Sequence, residues 1–199
     1  MNLKKLVGLT GKTGAGKSTV SDYLKQKGAY IIDGDIIARE ILVINKSLLP
    51  KLCEAFGWDI LENDGVSLNR KALARKAFST PENTALLNSI MHPAINTEIN
   101  KRAEKAFLEY NTVIVDAAAI IESGFADECD VLLVAHAPEN VRKERIIKRD
   151  NLTEADALVR IKGQKDDAFY LEKATYIISC YGDNDYKKQI DSLTKELFS

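Results

Sequence analysis

The eight residues GKTGAGKS, from Gly11 to Ser18, follow directly on the apolar run Leu6-Val7-Gly8-Leu9. They satisfy G-x-x-x-x-G-K-[ST] without a mismatch, and the context matters as much as the match. A strand enters a glycine-rich turn, and the turn opens a helix near Lys17. The glycines lack a Cβ, so the backbone can take positive φ and close round an anion. Successive N–H groups then point inward, and the helix N-terminus adds the positive end of its dipole. On this reading Thr13, Gly14, Ala15, Gly16, Lys17, Ser18 and Thr19 line a site for nucleotide phosphates. Lys17 reaches the β- and γ-phosphates, and the Ser18 hydroxyl ligates Mg²⁺.

A loop of this kind belongs at the carboxyl edge of a parallel sheet, and the chain carries the strands for one. Apolar runs at Leu6–Leu9, Tyr30–Ile32, Val113–Val115, Val131–Ala135 and Tyr176–Ser179 alternate with helical patterns. That alternation predicts an α/β fold of the P-loop NTPase type, a parallel sheet with helices on both faces. The 199 residues suit one domain, or a core domain with a small appended lobe. Its core is expected at 1–33 and 111–199, with a helical lid at about 138–164. Residues 34–110 are mainly helical in pattern and are expected to form a substrate lobe. Asn69 is placed to cap a helix through Phe78, Pro81 to open the next, and Pro93 to open a long one ending near Tyr110. Pro138 opens a helix to about Arg149, and Thr153 is the N-cap of the one after it.

Composition excludes several classes. The formal net charge is −1, so no global basic field invites nucleic acid. No apolar run approaches the ~20 residues of a membrane span, and the short apolar run after Lys4 and Lys5 is not a signal peptide. Cys53, Cys129 and Cys180 are odd in number and widely spaced, with no C-x-x-C. They read as idle or buried thiols of a cytoplasmic protein. With His92 and His136 the only histidines, a metal cluster built by protein alone is not expected. A GTPase switch is also excluded. No D-x-x-G occurs, and Asn45-Lys46 is followed by Ser47-Leu48.

Ligands of parallel sheets bind beyond the carboxyl ends of the strands. Asp33 and Asp116 end two of the predicted strands. Asp33 is placed to orient and deprotonate an attacking hydroxyl. Asp116 matches the position of a carboxylate that holds Mg²⁺ or its waters. Asp35 is the second candidate for the Asp33 role or else a helix N-cap. Arg142, Arg145 and Arg149 share one helical face by their spacing of three and four. They form either a solvated face or, through Arg145 and Arg149, a clamp on the transferring phosphoryl group. His92 before Pro93 is a turn residue or an acceptor contact. Phe56 and Trp58 are expected to pack.

Taken together these residues resemble the dephospho-coenzyme A kinase family. GLTGKTGAGKSTV is similar to the family's GLTGGIGSGKSTV, and IIDGDIIARE at 31–40 to its VIDADxIAR. Leu68-Asn69-Arg70, His92-Pro93, Ile120-Ile121-Glu122-Ser123-Gly124 and ERIIKRDNLTEADALVRIKGQ at 144–164 follow in the family's order. The resemblance implies ATP with Mg²⁺ as phosphoryl donor and the ribose 3′-hydroxyl of dephospho-CoA as acceptor. It sets Asp33 against that hydroxyl, Arg149 and Arg145 in the lid, and Asp35, Arg39, His92 and Glu122 near the acceptor. Small-molecule substrates are its only implied partners, in a monomer or weak homo-oligomer. Three segments depart from the family pattern. Ala118-Ala119-Ile120 replaces Pro-Leu-Leu, Tyr170 replaces an arginine, and Thr175–Cys180 replaces Asp-x-Val-Ile-x-Asn. The residues alone also admit another small-molecule kinase or a nucleotide-binding module without catalysis.

Overall fold

Apolar residues that run without alternation must be covered on two sides, and the central strands show this directly. In the computed structural model, which describes residues 4–183 and 185–198, Val131 to Ala135 are buried at every position. The elements in chain order are β1 (Lys5–Thr10), α1 (Lys17–Gln26), β2 (Tyr30–Asp33), α2 (Gly34–Ile44), α3 (Leu48–Phe56), α4 (Arg70–Ala77) and α5 (Pro81–Ala106). There follow β3 (Thr112–Asp116), β4 (Val131–His136), α6 (Glu139–Asp150), α7 (Glu154–Lys162), α8 (Asp167–Leu171), β5 (Tyr176–Ser179) and α9 (Tyr186–Phe198). Short 3₁₀ turns lie at Trp58–Ile60 and Phe125–Glu128.

All four strand pairings are parallel, in the order β2-β3-β1-β4-β5. One face of the sheet contributes Val7, Leu9, Leu133 and Ile178 to a core closed by Val20 and Leu24 of α1 and Ile190 and Leu197 of α9. On the other face, a Cβ at Gly8 would lie 2.8 Å from Leu132 and 2.9 Å from Ile120. The expected α/β sheet is therefore present, with all five expected strands.

The chain divides into two units, Met1–Asp35 with Lys101–Ser199, and Ile36–Asn100. The second is helical and has its own core of Leu52, Cys53, Phe56, Ile60, Leu73 and Ala77. Asn69 caps α4 by accepting from the Ala72 N–H at 2.9 Å. Two expectations in this stretch fail. Pro93 does not open a helix, because α5 runs unbroken from Pro81 to Ala106 with Pro93 inside it. Proline forfeits one i→i−4 bond there, and the helix carries on past the loss. Trp58 does not pack; it is 65% exposed, whereas Phe56 is buried.

In the first unit, Thr153 caps α7 by accepting from Asp156 N–H, as its sequence position implies. Ile146 of α6 packs with Ala157 and Ile161 of α7, so the two helices form one hairpin. Asn151 takes φ 52° at the α6 C-cap and turns the chain between them.

Leu133 is fully buried in the centre of the sheet. Leu133→Ala should lower the unfolding free energy by about 3 kcal/mol through lost burial and the cavity left behind. Urea denaturation followed by circular dichroism measures it. A loss under 1 kcal/mol would contradict the tight packing described for this strand.

Candidate active site

β1 delivers the chain to Gly11, and α1 begins at Lys17 with Gly16 as its N-cap. Between them the loop closes through Ala15 N–H donating to Lys12 O at 3.0 Å. Gly14 (φ 78°) and Gly16 (φ 106°) lie in the region that L side chains avoid. They are also crowded from outside. A Cβ at Gly14 would lie 2.7 Å from the Arg142 carbonyl oxygen, and one at Gly16 would lie 2.9 Å from the Cys180 Cβ. The glycines thus serve both curvature and close packing. No side chain caps α1 and no acidic residue lies in its first turn, so its N-terminal N–H groups form an electropositive end that no side chain neutralises. Ser18 and Thr19 are exposed there. Thr13 N–H donates to Gln164 Oε1 at 2.9 Å.

Strand register brings the carboxylates alongside. Asp116 pairs across the sheet with Leu9 on one side and Asp33 on the other, so all three strand ends lie at one edge. The Lys17 ammonium pairs with the Asp116 carboxylate and lies 3.4 Å from Asp35 Oδ2. The second oxygen of Asp35 accepts from Ala118 N–H at 3.1 Å. Burial by itself would lower the Lys17 pKa, but Asp116 and then Asp35 outweigh it and raise it above the ordinary lysine value. Asp35 lies in the first turn of α2 and bridges Lys17 and Ala118.

The three arginines of α6 part company. Arg142 is 1% exposed; its Nε donates to Ala137 O at 3.1 Å and its guanidinium lies 3.9 Å from Asp167. Asp167, on α8, also pairs with Lys12 of the loop at 2.8 Å, and that hydrogen bond above all holds its carboxyl below the usual range. Arg145 donates from Nη1 to Gly14 O (3.2 Å) and Ala15 O (3.4 Å) and from Nη2 to Cys180 O (2.5 Å). Arg149, 58% exposed in its side chain, makes a two-pronged bond to Asp150 at 2.8 Å on each oxygen. Arg160 of α7 pairs with the same carboxylate. One helical face therefore presents a buried, a loop-bound and an exposed guanidinium.

Glu122 accepts from the Tyr170 hydroxyl at 3.4 Å. Burial, then the Glu122 carboxylate, pushes that phenol up to about 12. Arg39 and His92 belong to the second unit. The backbone carbonyl of Arg39 accepts from Arg70 Nη2 at 2.8 Å, and burial lowers the His92 imidazole pKa. Asp33, Lys17, Asp35, Asp116, Arg145 and the loop are thus gathered in the first unit. The contacts of Gln164, Arg160 and Asp150 were not foreseen from the sequence. All three lie within the 144–164 stretch, but spacing along the chain does not reveal which loop or carboxylate they reach.

Comparison with known proteins agrees with this geometry. The dephospho-CoA kinase family model matches residues 5–186. A dephospho-CoA kinase of Corynebacterium efficiens is 40% identical over 195 residues, 97% of each chain. One from Enterococcus faecalis is 35% identical over 94% of each. Among solved structures, the dephospho-CoA kinase from Campylobacter jejuni superposes with a TM-score of 0.68 at 26% identity, covering 98% of this chain and 97% of its own. A shikimate kinase from Acinetobacter baumannii shares the fold at TM-score 0.57 and 16% identity, covering 98% of this chain and 95% of its own. With a match over nearly its whole length and the phosphate loop, strand-end carboxylates and helical hairpin in place, this chain belongs to the dephospho-CoA kinase family.

Proposed function

We propose that the chain transfers the γ-phosphoryl group of ATP to the ribose 3′-hydroxyl of dephospho-CoA, giving CoA and ADP. The observation that carries this reading is the cluster at the sheet edge: Lys17 at the mouth of an uncapped helix, with Asp33 and Asp116 on adjacent strand ends. Gly14, Gly16, Lys17, Ser18 and Thr19 hold the phosphates, with Thr13 and Ala15 shaping the loop. Lys17 exchanges carboxylate partners for β- and γ-phosphate oxygens. Asp33 orients the 3′-hydroxyl and takes its proton as the new O–P bond forms and the bond to the β–γ bridging oxygen breaks. Arg149 in the lid, residues 138–164, neutralises charge on the transferring group, and Arg145 braces the loop beside it. Asp35 and Glu122 of the first unit serve the acceptor.

Among the described residues no group of three or more His, Cys, Asp or Glu side chains gathers as a metal cage. Ser18 and Asp116 offer one hydroxyl and one carboxylate. This hard-oxygen pair fits Mg²⁺, which takes its remaining ligands from phosphates and water. Bound there, Mg²⁺ would supply neutralisation of phosphate charge. Among the described residues no helix is long and apolar enough to cross a membrane.

ADP release with dephospho-CoA present and absent tests the reading, with adenosine, AMP and pantetheine compounds lacking the ribose as comparison acceptors. Release that ignores dephospho-CoA and responds to another acceptor would reject it. Lys17→Ala removes a preorganised charge worth on the order of 3 kcal/mol in the transition state, so kcat should fall about a hundredfold with the fold retained. Near-normal turnover in the folded variant would refute the role. Asp33→Asn keeps the shape and removes the charge. Acceptor-dependent turnover should drop by roughly 10²–10⁴ while ATP affinity barely moves. A joint loss of ATP affinity and metal dependence would place Asp33 on the metal instead.

A further inference from the structure

The end of α7 meets the phosphate loop through a single side chain. Gln164 follows Gly163, the C-cap of α7, and its own N–H donates to Ile161 O at 3.2 Å. That bond closes the helix and fixes the direction of the residue. The carboxamide oxygen then accepts from Thr13 N–H at 2.9 Å, across 151 positions of sequence. Thr13 heads the run of loop peptides that curls round the anion site. One and two residues on, Gly14 and Ala15 offer their carbonyls to Arg145 of α6. One helix of the hairpin therefore grips the loop by an N–H, and the other grips it by two C=O groups. Because α6 and α7 share the Ile146–Ala157–Ile161 core, the two grips act on one body.

The chemistry of the acceptor is specific. A carboxylate at position 164 could accept the same N–H, with a stronger bond. It would also set a negative charge beside the phosphates. A carboxamide satisfies the donor without that charge. Alanine would leave the Thr13 peptide without its acceptor and the end of α7 without its hold on the loop.

We infer that Gln164 is a positioning residue for phosphoryl transfer. It fixes the Thr13 peptide and docks the α6–α7 hairpin, so loop shape and the placement of Arg149 are set together by a neutral acceptor. This inference rests on the reading of the loop as a phosphate cradle.

The test compares Gln164→Ala and Gln164→Glu with wild-type protein. ATP and ADP binding are measured by calorimetry without acceptor, steady-state kinetics with dephospho-CoA, and Thr13 amide exchange by NMR. Gln164→Ala should speed Thr13 exchange and lower kcat/KM for ATP about tenfold, the worth of one hydrogen bond. Gln164→Glu should keep Thr13 protected yet weaken ATP more than ADP, because repulsion grows with phosphate charge. Protected Thr13 and wild-type kcat/KM in Gln164→Ala would overturn the proposal. So would equal losses of ATP and ADP in Gln164→Glu, which a merely structural role predicts. If wild-type protein binds nucleotide but ignores dephospho-CoA, the acceptor assignment fails and calorimetry still decides the role of Gln164. If it binds neither nucleotide, the cradle reading and this inference fall together.

Discussion

β1 lies between β3 and β4, and the parallel register that runs outward from it sets where the strands of the larger unit end. Parallel strands share a direction, so the register Leu9–Asp116–Asp33 puts three carboxyl ends side by side. The loop after β1, the carboxylate ending β3 and the one ending β2 arrive together without any contact being needed to collect them. The buried residues beneath hold this register. A slip of one residue would turn Val7 and Leu9 to the opposite face and carry the aspartates with them.

On that edge, electrostatics selects the arrangement. Lys17 is mostly buried, with a side chain 21% exposed, and burial of an unpaired ammonium is costly. Asp116 and Asp35 offset the cost. The arginines follow the same rule at different depths. Arg142 is buried and makes its bonds to a backbone carbonyl and toward Asp167, Arg145 uses three carbonyls, and Arg149 stays in solvent with Asp150. A shared helical face therefore does not imply equal chemistry, because the neighbouring element decides which guanidinium is covered.

The strands and the loop were legible in the sequence because each carries a local signal: unbroken apolar runs, glycines at fixed offsets, a capping asparagine or threonine. Asp33 and Asp116 were legible because strand ends are local too. Pro93 was misread because one lost backbone bond is a small matter in a helix of 26 residues. Trp58 was misread because its exposure depends on neighbours distant in sequence. The bond from Gln164 to Thr13 and the shared Asp150 join α7 to the loop and to α6, and only the folded chain shows them. The departures from family pattern also become concrete. Tyr170 reaches Glu122 with a hydroxyl, and Cys180 packs its Cβ against Gly16 with its thiol pushed up to about 11 by burial. At this position the cysteine serves as a packing group rather than a nucleophile.

α8 is only five residues long, too short to hold helical shape by itself. It persists through Asp166, which caps it, and Asp167, which reaches Lys12 and Arg142. The same carboxylate that steadies this fragment therefore steadies the first turn of the phosphate loop. Acid would release both. The Asp167 carboxyl is held below its ordinary range, so its contribution is present above that range and fades as pH falls through the lowered value. Protonation of one carboxyl thus removes a tie from the minor helix and a tie from the loop together, across more than 150 residues of sequence.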